Sequence, residues 1–130
     1  MRNCKLSLHN TRKAYKMAVA AGVKIALGTD LGLGGVNPSK LSYILGYGNN
    51  GQELVYAVEV GMAPDQAIEA ATANAPATLG PQAPLSGELK VGYDADIILL
   101  PKSPLNDIDV LANPDNVTHV WKGGRLLKSP

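Results

Sequence analysis

The apolar positions of this chain follow two different rhythms. Over the first eighty residues they recur at helical spacing. From Asn10, which reads as a cap, Ala14, Met17, Ala18 and Ala21 fall on one face, and Gly22 follows as a stop, so an amphipathic helix is expected here. Val23 to Leu27 is a short β-branched and aliphatic run with the character of a strand covered on both faces, as in parallel sheets. Farther on, GQELVYAVEVG sets Leu54, Val55 and Val58 on one helical side and ends at Gly61. Pro64 then opens PDQAIEAATANA with Ala67, Ile68 and Ala71 inward, proline being well placed in a first turn. Ala63 stands where a capping hydroxyl would help.

The last forty residues carry short strand signals instead. GPQAPLSGELKVGY (80 to 93) contains two prolines and three glycines and marks a boundary. Beyond it, DADIILL (94 to 100) reads as a strand and DIDVL (107 to 111) as a turn of helix. VTHVWK and RLLK, joined by Gly123-Gly124, read as a hairpin. Between the two halves of the helical part lies a long irregular stretch, residues 28 to 51, holding seven of the fourteen glycines. Loops of that length are functional more often than they are simple connections. There is no internal repeat, low-complexity tract or heptad run.

Composition narrows the picture. With 130 residues there is room for one modest domain with a core. Hydrophobic residues make up 45% and Phe is absent, so the core must be built from Ala, Val, Ile and Leu, which favours an α/β layered fold. Twelve basic and eleven acidic residues give a net charge of +1 with no basic stripe, which argues against a nucleic-acid partner. No apolar run approaches the roughly eighteen residues that span a bilayer, and the basic N-terminus is not followed by a leader core. A membrane partner is therefore not expected. Cys4, the only cysteine, suits a reducing compartment, and the cytoplasm is the expected location. Asn116-Val117-Thr118 matches a glycosylation pattern that is read as chance.

The stretch GTDLGLGG follows the predicted strand and invites a phosphate-loop reading, which its spacing refuses. A dinucleotide fingerprint starting at Gly32 wants glycine or alanine at Asn37, and a Walker-type loop from Gly34 wants glycine at Ser39 and a hydroxyl at Leu41. Asp30 itself has two readings. It is either a turn residue bonding local amides, or a carboxylate at the outgoing end of a parallel strand, where α/β barrels carry their chemistry and where it could bind a metal.

AVAAGVKIALGTD, GNNGQELVYAVEVGMAPDQAIEAATANAPATLG, SGELKVGYDADIILL and NVTHVWKGGRLLK, in that order, resemble the C-terminal portion of the metal-dependent amidohydrolases. Within that superfamily the likeness is to the branch of prolidase-like, carboxypeptidase-like and ochratoxin-hydrolysing enzymes. The resemblance implies a C-terminal fragment of a TIM-type (β/α)8 barrel, meaning its last strand and following helices, in residues 1 to 80. Strands of the accompanying small β-sandwich would follow in 81 to 130, with a linker over about 80 to 93. It also implies that Asp30 is both a metal ligand and the catalytic general base. Zinc, or another divalent metal, would generate hydroxide to attack the carbonyl of a small amide or dipeptide-like substrate, with Asp30 passing the proton to the leaving nitrogen.

The same resemblance sets limits. Its usual His-Gly-x-Asn-x-x-Glu stretch reads Tyr47-Gly48-Asn49-Asn50-Gly51-Gln52-Glu53 here, so Tyr47 replaces the histidine, and Asn50 and Glu53 are equally well explained as helix caps. His9 and His119 are the only histidines, form no His-x-His pair and are read as structural or solvated. One carboxylate does not hold a catalytic zinc, which takes about three protein ligands, and a barrel takes about 250 residues. The chain alone is thus expected to bind no metal and to be inactive. It is also expected to self-associate or pair with a complementary polypeptide, because its strand edges lack neighbours. The alternative is a non-catalytic, truncated interaction module.

Overall fold

A computed structural model describes residues 2–29 and 48–130; Asp30 and the following residues to Tyr47 lie outside the described residues. Helix α1 (Arg2–Ala20) begins well ahead of Asn10, which sits in its interior rather than capping it. Its covered face also differs from the one expected. Tyr15, Ala18 and Val19 are half-buried, whereas Met17 is 63% exposed and Ala14 and Ala21 are exposed. Tyr15 and Val19 are four residues apart and stack on one side of the helix, the side that meets the core. The stop is where it was expected. Gly22 adopts φ 70°, its amide donates to the Val19 carbonyl at 3.0 Å, and that of Val23 donates to the Ala18 carbonyl at 3.0 Å. This is a Schellman ending, which needs a residue with no Cβ at the left-handed position.

A 3₁₀ turn (Asn49–Gly51) leads into α2 (Gln52–Glu59), which is followed by α3 (Pro64–Ala71) and the short α4 (Asn74–Ala77). The expected single helix from Pro64 to Ala75 is thus broken at Thr72, whose φ of −124° and ψ of −87° leave the helical region. Ala63 is the N-cap of α3 and has no side-chain acceptor, but the Gln66 Oε1 reaches back to accept from the Ala63 amide at 3.1 Å, half of a capping box. Ala57, Met62, Ala67 and Ala70 form the buried core, with Tyr15, Val19, Ile25, Leu27, Leu54 and Val58 packed around it. Three of these four core residues are alanines, so the helices meet backbone to backbone.

The segment 23–29 corrects the expectation of a strand covered on both faces. It has no ladder partner among the described residues and only one side is covered: Ile25, Leu27 and Thr29 are half-buried, while Lys24, Ala26 and Gly28 are exposed. The period-two alternation of a strand is present without the neighbouring strands that would cover its second face.

The C-terminal part carries a three-stranded antiparallel sheet in the order β1 (Ile97–Leu99), β2 (His119–Lys122), β3 (Arg125–Lys128). β1 is shorter than DADIILL suggests. Ile98 pairs with Val120 and Lys122 with Arg125, with a bulge between Val120 and Trp121. Gly123 and Gly124 both have positive φ, 53° and 76°, as a two-residue hairpin turn requires. Between β1 and β2, two 3₁₀ turns (Ile108–Leu111 and Pro114–Asn116) are capped by Asp107 and Asn113. Ile108 and Val110 are buried in the first turn, which packs against α2. The Asn116 amide nitrogen donates to the Val110 carbonyl at 2.9 Å, so the glycosylation pattern is used as an internal tie. Among the described residues no helix is long and apolar enough to cross a membrane.

Two substitutions test this packing by chemical denaturation. Ala63→Ser gives α3 the missing acceptor at a cap already in the extended conformation and should stabilise the chain by about 1 kcal/mol. At Gly51 an added Cβ would collide with the Leu111 carbonyl, so Gly51→Ala should cost about 1–3 kcal/mol by forcing α2 away from the 3₁₀ turn.

Candidate functional site

Segment 23–29 is the element that leads to Asp30, and two hydrogen bonds fix it. The Leu27 amide donates to the Ala70 carbonyl at 2.8 Å, and the Asn74 side-chain amide donates to the Ile25 carbonyl at 3.1 Å. Ala70 belongs to the last turn of α3, whose carbonyls have no partner within the helix, and the break at Thr72 leaves Ala70 and Asn74 on the same side of the segment. The Thr72 hydroxyl takes up another of these carbonyls, that of Ile68, at 2.7 Å. Ile25 and Leu27 complete the anchorage by packing on the alanine core.

Beneath this segment, the Tyr15 hydroxyl is buried and has no hydrogen-bond partner among the described residues. Burial, and then the negative charge of Glu53, push its phenol above the ordinary tyrosine range. Glu53 lies in the first turn of α2 and is half-buried, while Asn50 is exposed in the preceding turn. Neither caps a helix: the N-caps are Gly48 and Gly51, and no side-chain cap bond is made at either. The capping explanation for Asn50 and Glu53 is therefore corrected.

The two histidines stand on different elements. His9 is exposed on α1, in a groove shared with Arg12, Lys13, Lys16 and Glu59, where Arg12 and Glu59 approach to 3.7 Å. His119 stands on β2 with its ring stacked on Trp121, centroids 5.4 Å apart and planes 7° from parallel. Its Nδ1 lies 3.1 Å from the Thr118 hydroxyl. Among the described residues no three His, Cys, Asp or Glu side chains converge on a point that could hold a metal ion. Asp30, the expected ligand, lies outside the described residues.

A second concavity is apolar. A groove of about 790 Å³ runs between the α2–α3 pair and β1, lined by Leu54, Ile68, Leu89, Ile98, Leu99 and Leu111 among others. Its walls are mainly aliphatic, with Thr72, Lys102 and Ser103 among the polar groups that line it. Leu89 is 87% exposed on its rim.

The profile of the amidohydrolase family matches residues 2–127. The chain belongs to the amidohydrolase family. It is 55% identical over 119 residues to ochratoxinase from Aspergillus niger, an alignment covering 91% of this chain and 22% of ochratoxinase. The crystal structure of A. niger ochratoxinase superposes with a TM-score of 0.74 at 52% identity, covering 92% of this chain and 25% of that one. A crystal structure of a Xaa-Pro dipeptidase with bound methionine in the active site gives 0.72 at 34% identity, covering 91% and 25%. The chain thus spans about a quarter of the length of the amidohydrolases it matches.

Sequence reasoning missed Asn74 and Asp96. The signal for Asn74 was one amide-bearing side chain in an alanine run. Asp96 clasps the hairpin: its Oδ1 accepts from the Gly123 amide at 2.7 Å and its Oδ2 faces Lys122 Nζ at 3.4 Å. The Gly123 bond holds its carboxyl below the usual range, opposed by desolvation and aided by the nearby Lys122 ammonium. A depressed folded-state pKa gives stability that is present above the unfolded value and lost as pH falls through the folded one. Protection of the Gly123 amide against hydrogen exchange, relative to a peptide of the hairpin sequence, should therefore fall on acidification through the carboxylate range. Asp96→Asn should remove that pH dependence.

Proposed function

We propose that this chain forms the last barrel stave, its following helices and the adjoining sandwich strands of a metal-dependent amidohydrolase that cleaves C–N bonds in small amide or dipeptide-like substrates. The boundary lies at about residues 80–93. The observation that carries this reading is the 55% identity with ochratoxinase over 91% of the chain. The Xaa-Pro dipeptidase supports the same bond class. Asp30 is the proposed metal ligand and general base, three residues beyond the anchored Leu27. A catalytic zinc takes about three protein ligands and Asp30 would be one, so zinc or another divalent ion would be held mainly by groups outside this chain, and the chain alone would be inactive.

The outer edges of β1 and β3, unpaired among the described residues, and the apolar groove support pairing with a complementary polypeptide or a second copy. A single cysteine and a near-neutral charge suit the cytoplasm.

The test is replacement of the corresponding C-terminal part of A. niger ochratoxinase by this chain. The chimera should hydrolyse that enzyme's own amide substrate, and Asp30→Asn should lower its kcat by about 10²–10⁴-fold. Full activity in the Asp30→Asn chimera would remove Asp30 from the mechanism. An inactive but folded chimera would favour the interaction module.

A further inference from the structure

The two bonds on segment 23–29 share a pattern that each alone would not reveal. In a parallel ladder, one residue of the neighbouring strand donates its amide to the carbonyl of residue i−1 and accepts at its carbonyl from the amide of residue i+1. Around Ala26 these two places are filled, but not by a strand. The Ile25 carbonyl accepts from the Asn74 side chain at 3.1 Å, and the Leu27 amide donates to the Ala70 carbonyl at 2.8 Å. Ala70 supplies the acceptor and Asn74 the donor that a single strand residue would have supplied together.

We infer that Asn74 is a positioning residue which, with the Ala70 carbonyl, substitutes for a neighbouring strand at Ala26 and so fixes the register of the segment that precedes Asp30 in sequence. The inference rests on the proposed role of Asp30 only for its functional meaning. The clamp itself is a property of this chain.

Three features make the clamp specific. The break at Thr72 separates α3 from α4 and lets a helix-end carbonyl and a helix-start side chain face the same edge. That joint is backed by Gly87, whose φ of +82° and lack of Cβ let its backbone approach the Thr72 carbonyl; an added Cβ would lie 2.5 Å from that oxygen. Asn74 is also chemically constrained, because only a donor satisfies the Ile25 carbonyl. An ionised carboxylate of the same shape is acceptor-only, whereas the protonated acid again has one hydrogen to donate.

Amide exchange of the 130-residue chain tests this directly. In the parent chain the Leu27 amide should be protected, and Asn74→Ala should speed its exchange by about tenfold while Ala67 and Ala70, inside α3, keep their rates. Asn74→Asp supplies a readout that simple loss of packing would not move. Compared with the parent at each pH, Leu27 should be as poorly protected as in Asn74→Ala near neutrality and regain protection as the substituted carboxyl is protonated. An unprotected Leu27 in the parent, an unchanged rate in Asn74→Ala, or a pH-independent Asn74→Asp would each overturn the inference. Should Asn74→Ala unfold, the acid-restored Asn74→Asp still decides it. None of these outcomes depends on Asp30, whose role the chimera reads separately.

Discussion

The contact on which the candidate site depends is the double hydrogen bond between segment 23–29 and the α3–α4 joint. A single strand has no stability of its own, since its backbone groups must find partners elsewhere. Here Ala70 and Asn74 provide those partners, and the alanine core makes their approach possible. With Ala57, Ala67 and Ala70 at the seam, the backbone of α3 comes close enough for a main-chain carbonyl to reach the Leu27 amide. A larger side chain at Ala70 would add buried area but push the carbonyl out of reach, trading hydrophobic gain for a lost bond.

That arrangement has a cost in burial. No large side chain is fully buried among the described residues, and Val23, Leu89, Val91, Ile98, Leu99, Leu126 and Leu127 are exposed. Apolar side chains left in water at this density, beside two sheet edges unpaired among the described residues, form surfaces of the kind that partners cover. This agrees with a chain spanning about a quarter of its structural relatives. The hairpin is held differently, by the Gly123–Gly124 turn and the Asp96 clasp, so the sheet keeps its form with little core beneath it.

Much of the fold was legible because its signals are local. Gly22, Gly61, Pro64 and the Gly123–Gly124 pair each act within a few residues, and each marks an element boundary in the structure. The start of α1 was not legible, because the residues before Asn10 tolerate a helix and one capping-type side chain does not oblige a beginning. Its covered face was misread because Tyr15 and Val19 are inward only by virtue of what they meet. The strand character of 23–27 was visible as a short β-branched and aliphatic run, yet its one-sided cover depends on partners the segment does not contain. Asn74 was the hardest to see: it bonds a carbonyl 49 residues away, and nothing in its own neighbourhood states that. Asp30 could be singled out from its place after an aliphatic run, while the family likeness, not spacing, supplied its chemistry.

Scalar coupling across the hydrogen bond between the Leu27 nitrogen and the Ala70 carbonyl carbon, measured by nuclear magnetic resonance on the labelled chain, tests the central contact most directly. The account predicts a coupling to Ala70. Its absence, or a coupling from Leu27 to a residue in another strand, would contradict the anchoring of the Asp30 segment by the α3–α4 joint.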